Sequence, residues 1–198
     1  MSSLFEFHFE KVPQRTKDLC VKYPWFTTLL EDDTLHPVRT PGRQPETYTL
    51  CRLFSKTLNT ENTLSACQSF FKEPTSAIIS FQQPPLENYL GEFQSFYAIG
   101  SDLDGYEGIC HGGLLSAALD HTMAVLAGAY PGGKHAYTKN LRIEFQRPLR
   151  TPGAMLCRAW MTKAEGRKMW VTGRVEDENG DSYLTAEGLL LKGGQVKL

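Results

Sequence analysis

Cys110-His111-Gly112-Gly113-Leu114-Leu115-Ser116-Ala117-Ala118-Leu119-Asp120-His121-Thr122-Met123-Ala124-Val125-Leu126-Ala127 is the stretch on which the fold turns. It reads as a helix that is apolar on nearly all sides, and such a helix is normally buried. Two features do not serve stability. Gly112-Gly113 stands at the helix start, although glycine costs about 1 kcal/mol relative to alanine inside a helix. That pair makes sense where the backbone must meet something closely. A helix N-terminus offers unbonded N–H groups and partial positive charge, which suits an anion or an oxygen becoming one. Asp120 is the second oddity, because a carboxylate among Leu, Ala and Met is rarely placed for packing. The pair reads as an oxyanion hole plus an acid/base or a nucleophile.

Strand signals flank this helix. Gly91 to Ile99, with Phe93, Phe96, Tyr97 and Ile99, reads as a strand, and Gly100, Gly105 and Gly108 make a tight loop into His111. The helix ends at Gly128, before Pro131-Gly132-Gly133. Tyr137 to Phe145 alternates, with Leu141, Ile143 and Phe145 on one face and Asn140, Arg142 and Glu144 on the other. Ala154–Ala164 and Lys168–Asp177 are joined by Glu165-Gly166-Arg167, and Asn179-Gly180 is a strong hairpin signal leading into Tyr183–Lys192. A helix followed by an antiparallel meander predicts an α+β fold, with a sheet wrapped around a central helix. One sheet over one helix leaves a sheet edge open, and dimerisation is a general remedy.

The first 75 residues are read as an N-terminal extension that packs on or lids a domain spanning 76–198. Leu4 to Phe9 is aromatic, and Tyr23-Pro24-Trp25-Phe26 with Leu29 and Leu30 suggests an apolar contact. Leu35 to Pro45, with Pro37, Pro41, Gly42 and Pro45, reads as a loop. Tyr48 to Thr57 fits a strand or a helix. Asn59 or Thr60 is expected to cap a helix through Phe71, with Leu64, Cys67, Phe70 and Phe71 on its apolar side. Ala77-Ile78-Ile79-Ser80-Phe81 is a β-prone run broken by Pro84-Pro85.

Composition sets the class. At 41% apolar and 22% charged residues, the chain is expected to be an ordinary soluble globular protein. A net charge of −1 gives no reason to expect a nucleic-acid partner. No apolar run is long enough for a membrane span, and Glu6 and Glu10 break any signal-peptide core. Cys20, Cys51, Cys67, Cys110 and Cys157 are scattered and odd in number, which fits reduced thiols and a cytoplasmic location. The five histidines form no metal-ligand spacing, so neither a metal nor another cofactor is expected. Cys110 beside His111 invites a Cys–His nucleophile, but neighbours at a loop–helix join seldom face each other, and Cys110 reads as packing. His121 and His135 read as structural or surface residues.

His111-Gly112-Gly113, with Asp120 nine residues after the histidine, resembles the hotdog-fold acyl thioesterases, in the branch containing human thioesterase superfamily members 2 and 4 and fungal relatives. Thr138-Lys139-Asn140-Leu141-Arg142-Ile143-Glu144-Phe145-Gln146-Arg147-Pro148 resembles the family's strand after the helix. Glu165-Gly166-Arg167-Lys168 resembles its next hairpin turn. The resemblance covers Phe93 to Lys192 and implies a hotdog fold, a homodimer or a tetramer built from two such dimers, and hydrolysis of an acyl thioester carried by coenzyme A or an acyl carrier protein. Gly112 and Asp120 lie roughly 12 Å apart along a helix, too far to act on one carbonyl within one subunit. The resemblance implies a site shared across the dimer.

The implied roles are these. The Gly112 N–H holds the thioester oxygen, and Asp120 activates water or attacks the thioester itself. Thr138 orients the acid and the water, while His111 fixes the glycine loop. Gly113, Leu115, Leu119 and Met123 line the acyl groove, and Arg147, Arg167 and Lys168 meet the phosphates of coenzyme A. Each has a plainer reading: a loop-to-helix join, a structural bridge from Asp120 to His121 or an arginine, an ordinary strand threonine, solvated turn charges. One position departs from the family. Some relatives have Asn six residues before the histidine, and here Gly105 stands there between Asp104 and Tyr106. A carrier-protein-linked product-releasing enzyme and a non-catalytic acyl-CoA-binding protein are the rival readings.

Overall fold

The computed structural model describes residues 12, 14–40, 51–74, 91–130 and 135–193. The expected features at Leu4–Phe9, Ala77–Phe81, Pro84-Pro85 and Pro131-Gly132-Gly133 lie outside these residues. Three short helices open the described chain: α1 (Gln14–Lys17), α2 (Leu19–Lys22) and α3 (Trp25–Glu31). Then come β1 (Leu35–Val38), a π-helical turn (Leu53–Thr57), β2 (Leu64–Lys72) and β3 (Glu92–Ile99). A small hairpin of β4 (Asp104–Tyr106) and β5 (Ile109–Cys110) leads into the central helix α4 (Gly112–Gly128). The chain closes with β6 (Ala136–Phe145), β7 (Gly153–Glu165), β8 (Lys168–Glu176) and β9 (Ser182–Lys192).

Seven strands form one antiparallel sheet in the order β1-β2-β3-β7-β8-β9-β6. The expected α+β arrangement is present, with α4 seated on the inner face. Leu114, Leu115, Ala118, Leu119, Met123, Leu126 and Ala127 of the helix are buried against Tyr97, Met155, Cys157, Ala159, Met169, Val171, Leu184 and Leu190. Two strand glycines set how closely the helix approaches. A methyl group at Gly173 of β8 would lie 2.8 Å from Leu119 Cδ1, and one at Gly188 of β9 would lie 2.8 Å from Met123 Cε. Leu119 and Met123 therefore fill pits in the sheet.

The sequence reading of residues 59–71 is corrected. Leu64–Lys72 is a strand paired with β3, not a helix. Phe70 and Phe71 are adjacent and point to opposite faces. Phe70 packs beneath Phe26, whereas Phe71 joins the helix side. A strand covered on both faces loses its polar alternation, so apolar residues at 64, 67, 70 and 71 mimic helical spacing. Leu35–Val38 is likewise a strand rather than a loop. Among the described residues it is the sheet's edge, where the N–H that Pro37 lacks need not cost a ladder bond. The sheet thus extends across the boundary placed between residues 75 and 76.

The short helices cover the outer face. Phe26 is fully buried, with its ring 4.4 Å from Phe96 and 6.3 Å from Phe70. The Tyr23 hydroxyl donates to the Gly153 carbonyl at 2.8 Å. Residues 14–31 therefore lie on the side of the sheet away from α4.

Candidate active site

His111 organises the start of α4. Its Nδ1 accepts the Gly113 N–H at 2.9 Å, making it the N-cap, and its own N–H donates to the Leu103 carbonyl at 2.8 Å. The imidazole thus satisfies one of the N–H groups that every helix start leaves without an intrahelical partner. Both glycines are there for space. A methyl group at Gly113 would sit 2.9 Å from the His111 ring, and one at Gly112 would sit 3.0 Å from the Phe145 ring. Gly112 is the first residue of the helix, so its N–H has no carbonyl one turn back.

Gly105 explains itself in the same way. A methyl group there would lie 3.0 Å from His111 Cα and 3.2 Å from its ring. The side chain that some relatives place at this position would displace the capping histidine. The neighbouring Asp104 is occupied with the loop: it accepts the Gly108 N–H at 2.8 Å and the Thr151 hydroxyl.

Asp120 lies two turns along the helix, half-buried, and Thr138 Oγ1 donates to its Oδ1 at 2.6 Å. Among the described residues no ion pair to Asp120 is formed. His121 instead stacks on Phe54 at 4.6 Å, with Cys51 Sγ 3.5 Å from its Nδ1. Strict alternation along β6 would put Thr138 on the outer face with Asn140, Arg142 and Glu144. A bulge corrects this: Thr138 pairs with Leu190 and Asn140 with Leu189, so Lys139 is the extra residue. Thr138 therefore shares the inner face with Leu141, Ile143 and Phe145.

Gly112 and Asp120 sit at opposite ends of β6, beside Phe145 and Thr138 respectively. Within one protomer they do not meet, as the helical spacing requires. Among the described residues β6 is an edge strand of the sheet, and Tyr137 and Phe145 on it are 51% and 58% exposed.

The expected binding residues divide. Leu115, Gly112, Phe145 and Arg147 line one cleft of about 290 Å³. Leu119 and Met123 are fully buried in the protomer, in the pits at Gly173 and Gly188. Gly113 gives its N–H to His111 and is held inside the cap. The three cations are not one cluster in the protomer. Arg147 binds Asp177 at 2.7 Å and lies over the Tyr183 ring at the start of β9. Arg167 donates to the Lys192 carbonyl at the far end of that strand, with Lys168 exposed beside it. Ten residues of strand separate the two ends, roughly 33 Å.

Cys110 is buried, and burial, then the Asp104 carboxylate, push its thiol up to about 12. It packs in the core, with its Sγ 3.8 Å from the His111 carbonyl oxygen. Among the described residues no group of three or more His, Cys, Asp or Glu side chains is placed to hold a metal ion, and no helix is long and apolar enough to cross a membrane. The signals that sequence reading missed are the bulge at Lys139 and the seat of Phe145 over Gly112. The Gly112 glycine hinted at a close neighbour without naming it.

The profile of the Thioesterase superfamily matches residues 107–183, which include the cap, Asp120 and Thr138. Verlamelin biosynthesis protein B of a Lecanicillium species is 31% identical over 163 residues, covering 68% of this chain and 69% of that protein. The bovine (Bos taurus) acyl-coenzyme A thioesterase THEM4 is 31% identical over 94 residues, covering 47% of this chain and 38% of its own length. Among solved structures, a Haemophilus influenzae thioesterase is 14% identical with a TM-score of 0.49, covering 54% of this chain and 74% of that one. The phenylacetic acid degradation protein PaaI of Thermus thermophilus is 22% identical with a TM-score of 0.47, covering 52% and 85%. With the helix-in-sheet architecture and the capped glycine turn, the family profile and the verlamelin relative identify the chain as a member of the thioesterase superfamily, a thioester hydrolase of the hotdog fold.

Proposed function

We propose that this protein hydrolyses acyl-CoA thioesters at sites shared between two copies of the chain. The observation that carries the reading is the 2.6 Å hydrogen bond from Thr138 to Asp120, midway along a helix whose N-terminus presents the Gly112 N–H. Two-fold antiparallel pairing of β6 about Leu141 and Arg142 sets Thr138 opposite Phe145 of the partner subunit. Phe145 covers Gly112, so the pairing carries the helix start of one copy towards Asp120 of the other. It also closes an exposed sheet edge and brings the Arg147 end of one copy to the Arg167 and Lys168 end of its mate.

In this assembly the Gly112 N–H donates a hydrogen bond to the carbonyl oxygen of the thioester. Thr138 engages one carboxylate oxygen of Asp120 and leaves the other free to take a proton from water. The water oxygen bonds to the carbonyl carbon, the oxyanion forms at Gly112, and its collapse breaks the carbon–sulfur bond. The thiolate leaves and takes up a proton; the products are the free acid and CoA. Direct attack by Asp120, with water then cleaving the anhydride, satisfies the same geometry. His111 holds the cap. The relative acting in verlamelin biosynthesis favours a second reading, in which the acyl group arrives on a carrier protein.

Asp120→Asn is expected to lower turnover by about 10²–10⁴-fold across an acyl-CoA panel followed by thiol release. Wild-type turnover in the folded variant rejects the assignment. Mass photometry at assay concentration is expected to find dimers, and a fully active monomer would end the shared-site proposal. Parallel assays with carrier-linked substrate decide between the two readings.

A further inference from the structure

Building on that reading, we propose that the groove on the outer face of β7-β8-β9-β6 binds the phosphorylated nucleotide end of a coenzyme A thioester. The groove has a volume of about 880 Å³ and lies behind the sheet, away from α4. Lys139, Arg142 and Lys163 line it, with Glu187 as the carboxylate in the lining. Trp170 and Leu189 supply an aromatic and an apolar surface between them. Phosphates suit the cations, and a heteroaromatic base suits the indole.

The cations are available. Lys163 Nζ lies 3.0 Å from Glu165, but those side chains are 59% and 67% exposed. Arg142 lies 2.8 Å from Glu144, at 73% and 60% exposure. Such solvent-exposed pairs are weak and yield readily to a multiply charged anion. By contrast, Arg147 is engaged by Asp177 and the Ser182 carbonyl, and Arg167 by the Lys192 carbonyl. Lys163 also holds its ammonium 4.8 Å from the Trp170 ring centre, which keeps charge and ring in one place.

The groove is within reach of the candidate active site. Lys139 is the bulged residue directly after Thr138, at the point where the β6–β9 ladder is interrupted. A flexible pantetheine arm leaving Asp120 around this end of the strand delivers its phosphates to Lys139 and then to Arg142 and Lys163.

The test uses the full chain. Titration with 3′-phosphoadenosine 5′-diphosphate is expected to change the tryptophan fluorescence, and Trp170→Phe is expected to abolish the change. Lys163→Ala and Arg142→Ala are each expected to raise the Kd of this nucleotide and the KM of acyl-CoA by about tenfold. The KM of the matching acyl-pantetheine, which has no nucleotide, should stay where it is in the wild type. Equal effects on both substrates, or no effect on either, overturn the proposal. So does a loss confined to carrier-protein-linked substrate, which would make the groove a protein-docking surface. Asp120→Asn keeps the nucleotide titration if the groove is assigned correctly, so a failed catalytic reading and a failed groove are told apart.

Discussion

At the scale of single residues, the turn from Gly105 to Gly113 is shaped around one imidazole. Gly105 and Gly113 each leave the volume that the His111 ring occupies, and the ring returns a hydrogen bond to the Gly113 N–H. His111 is therefore a cap before it is anything else. His111→Ala should cost about 1 kcal/mol of stability, whereas His111→Asn, itself a good cap, should keep most of it. Thermal unfolding measures the first effect. If the histidine instead moved protons, Asn would preserve the melting temperature and lose turnover, and the pH–rate profile would lose a limb. The glycines and histidine were legible in sequence because such a run is costly in a helix. Their individual purposes were not, because a glycine announces a close neighbour but not which one. Thr138 shows the same limit: resemblance picked it out, while simple alternation would have turned it outward.

At the scale of elements, the packing of α4 on the sheet depends on two strand positions with no side chain. Gly173→Ala would set a methyl group 2.8 Å from Leu119 Cδ1 and 2.9 Å from the Arg158 carbonyl oxygen. Leu119 can shift, but the backbone of the neighbouring strand can do so only by distorting the ladder. The expected loss is about 1–3 kcal/mol. Gly188→Ala meets mainly the flexible end of Met123 and should cost less. Chemical denaturation of the two variants checks the order, and the reverse order would show that the strand backbone yields more easily than the methionine. The meander from β7 to β9 was readable because glycine turns and two-residue periodicity agree there. β2 was misread because both its faces are buried, by the α4 side and by Phe26, and a doubly covered strand carries no polar stripe.

At the scale of the whole molecule, the hairpin between β8 and β9 is tied to the end of β6 through Asp177. Burial raises the Asp177 carboxyl, but the Arg147 guanidinium and the amides of Asn179 and Asp181 outweigh it and hold the group below the usual carboxylate range. A carboxyl depressed in the folded state contributes stability above its unfolded pKa, and that contribution is lost as pH falls through the folded value. The wild type is expected to lose stability below about pH 4, the ordinary aspartate value. Asp177→Asn should be less stable at neutral pH and flatter in that acid range. Denaturation midpoints between pH 3 and pH 7 provide the check, and parallel curves for the two proteins would contradict it. Arg147 also lines the cleft at Gly112, so the same substitution should loosen that wall.

The sequence alone determined the buried helix, its glycine-rich start, its isolated carboxylate and the antiparallel meander, because each is written in local costs and short periods. Tertiary structure decided the rest. It turned Thr138 inward through a bulge, laid Phe145 over Gly112, sank Leu119 and Met123 into glycine pits, and sent Arg147 and Arg167 to opposite ends of one strand. These outcomes depend on which strand lies beside which and on how many faces are covered, and one chain read residue by residue holds neither quantity.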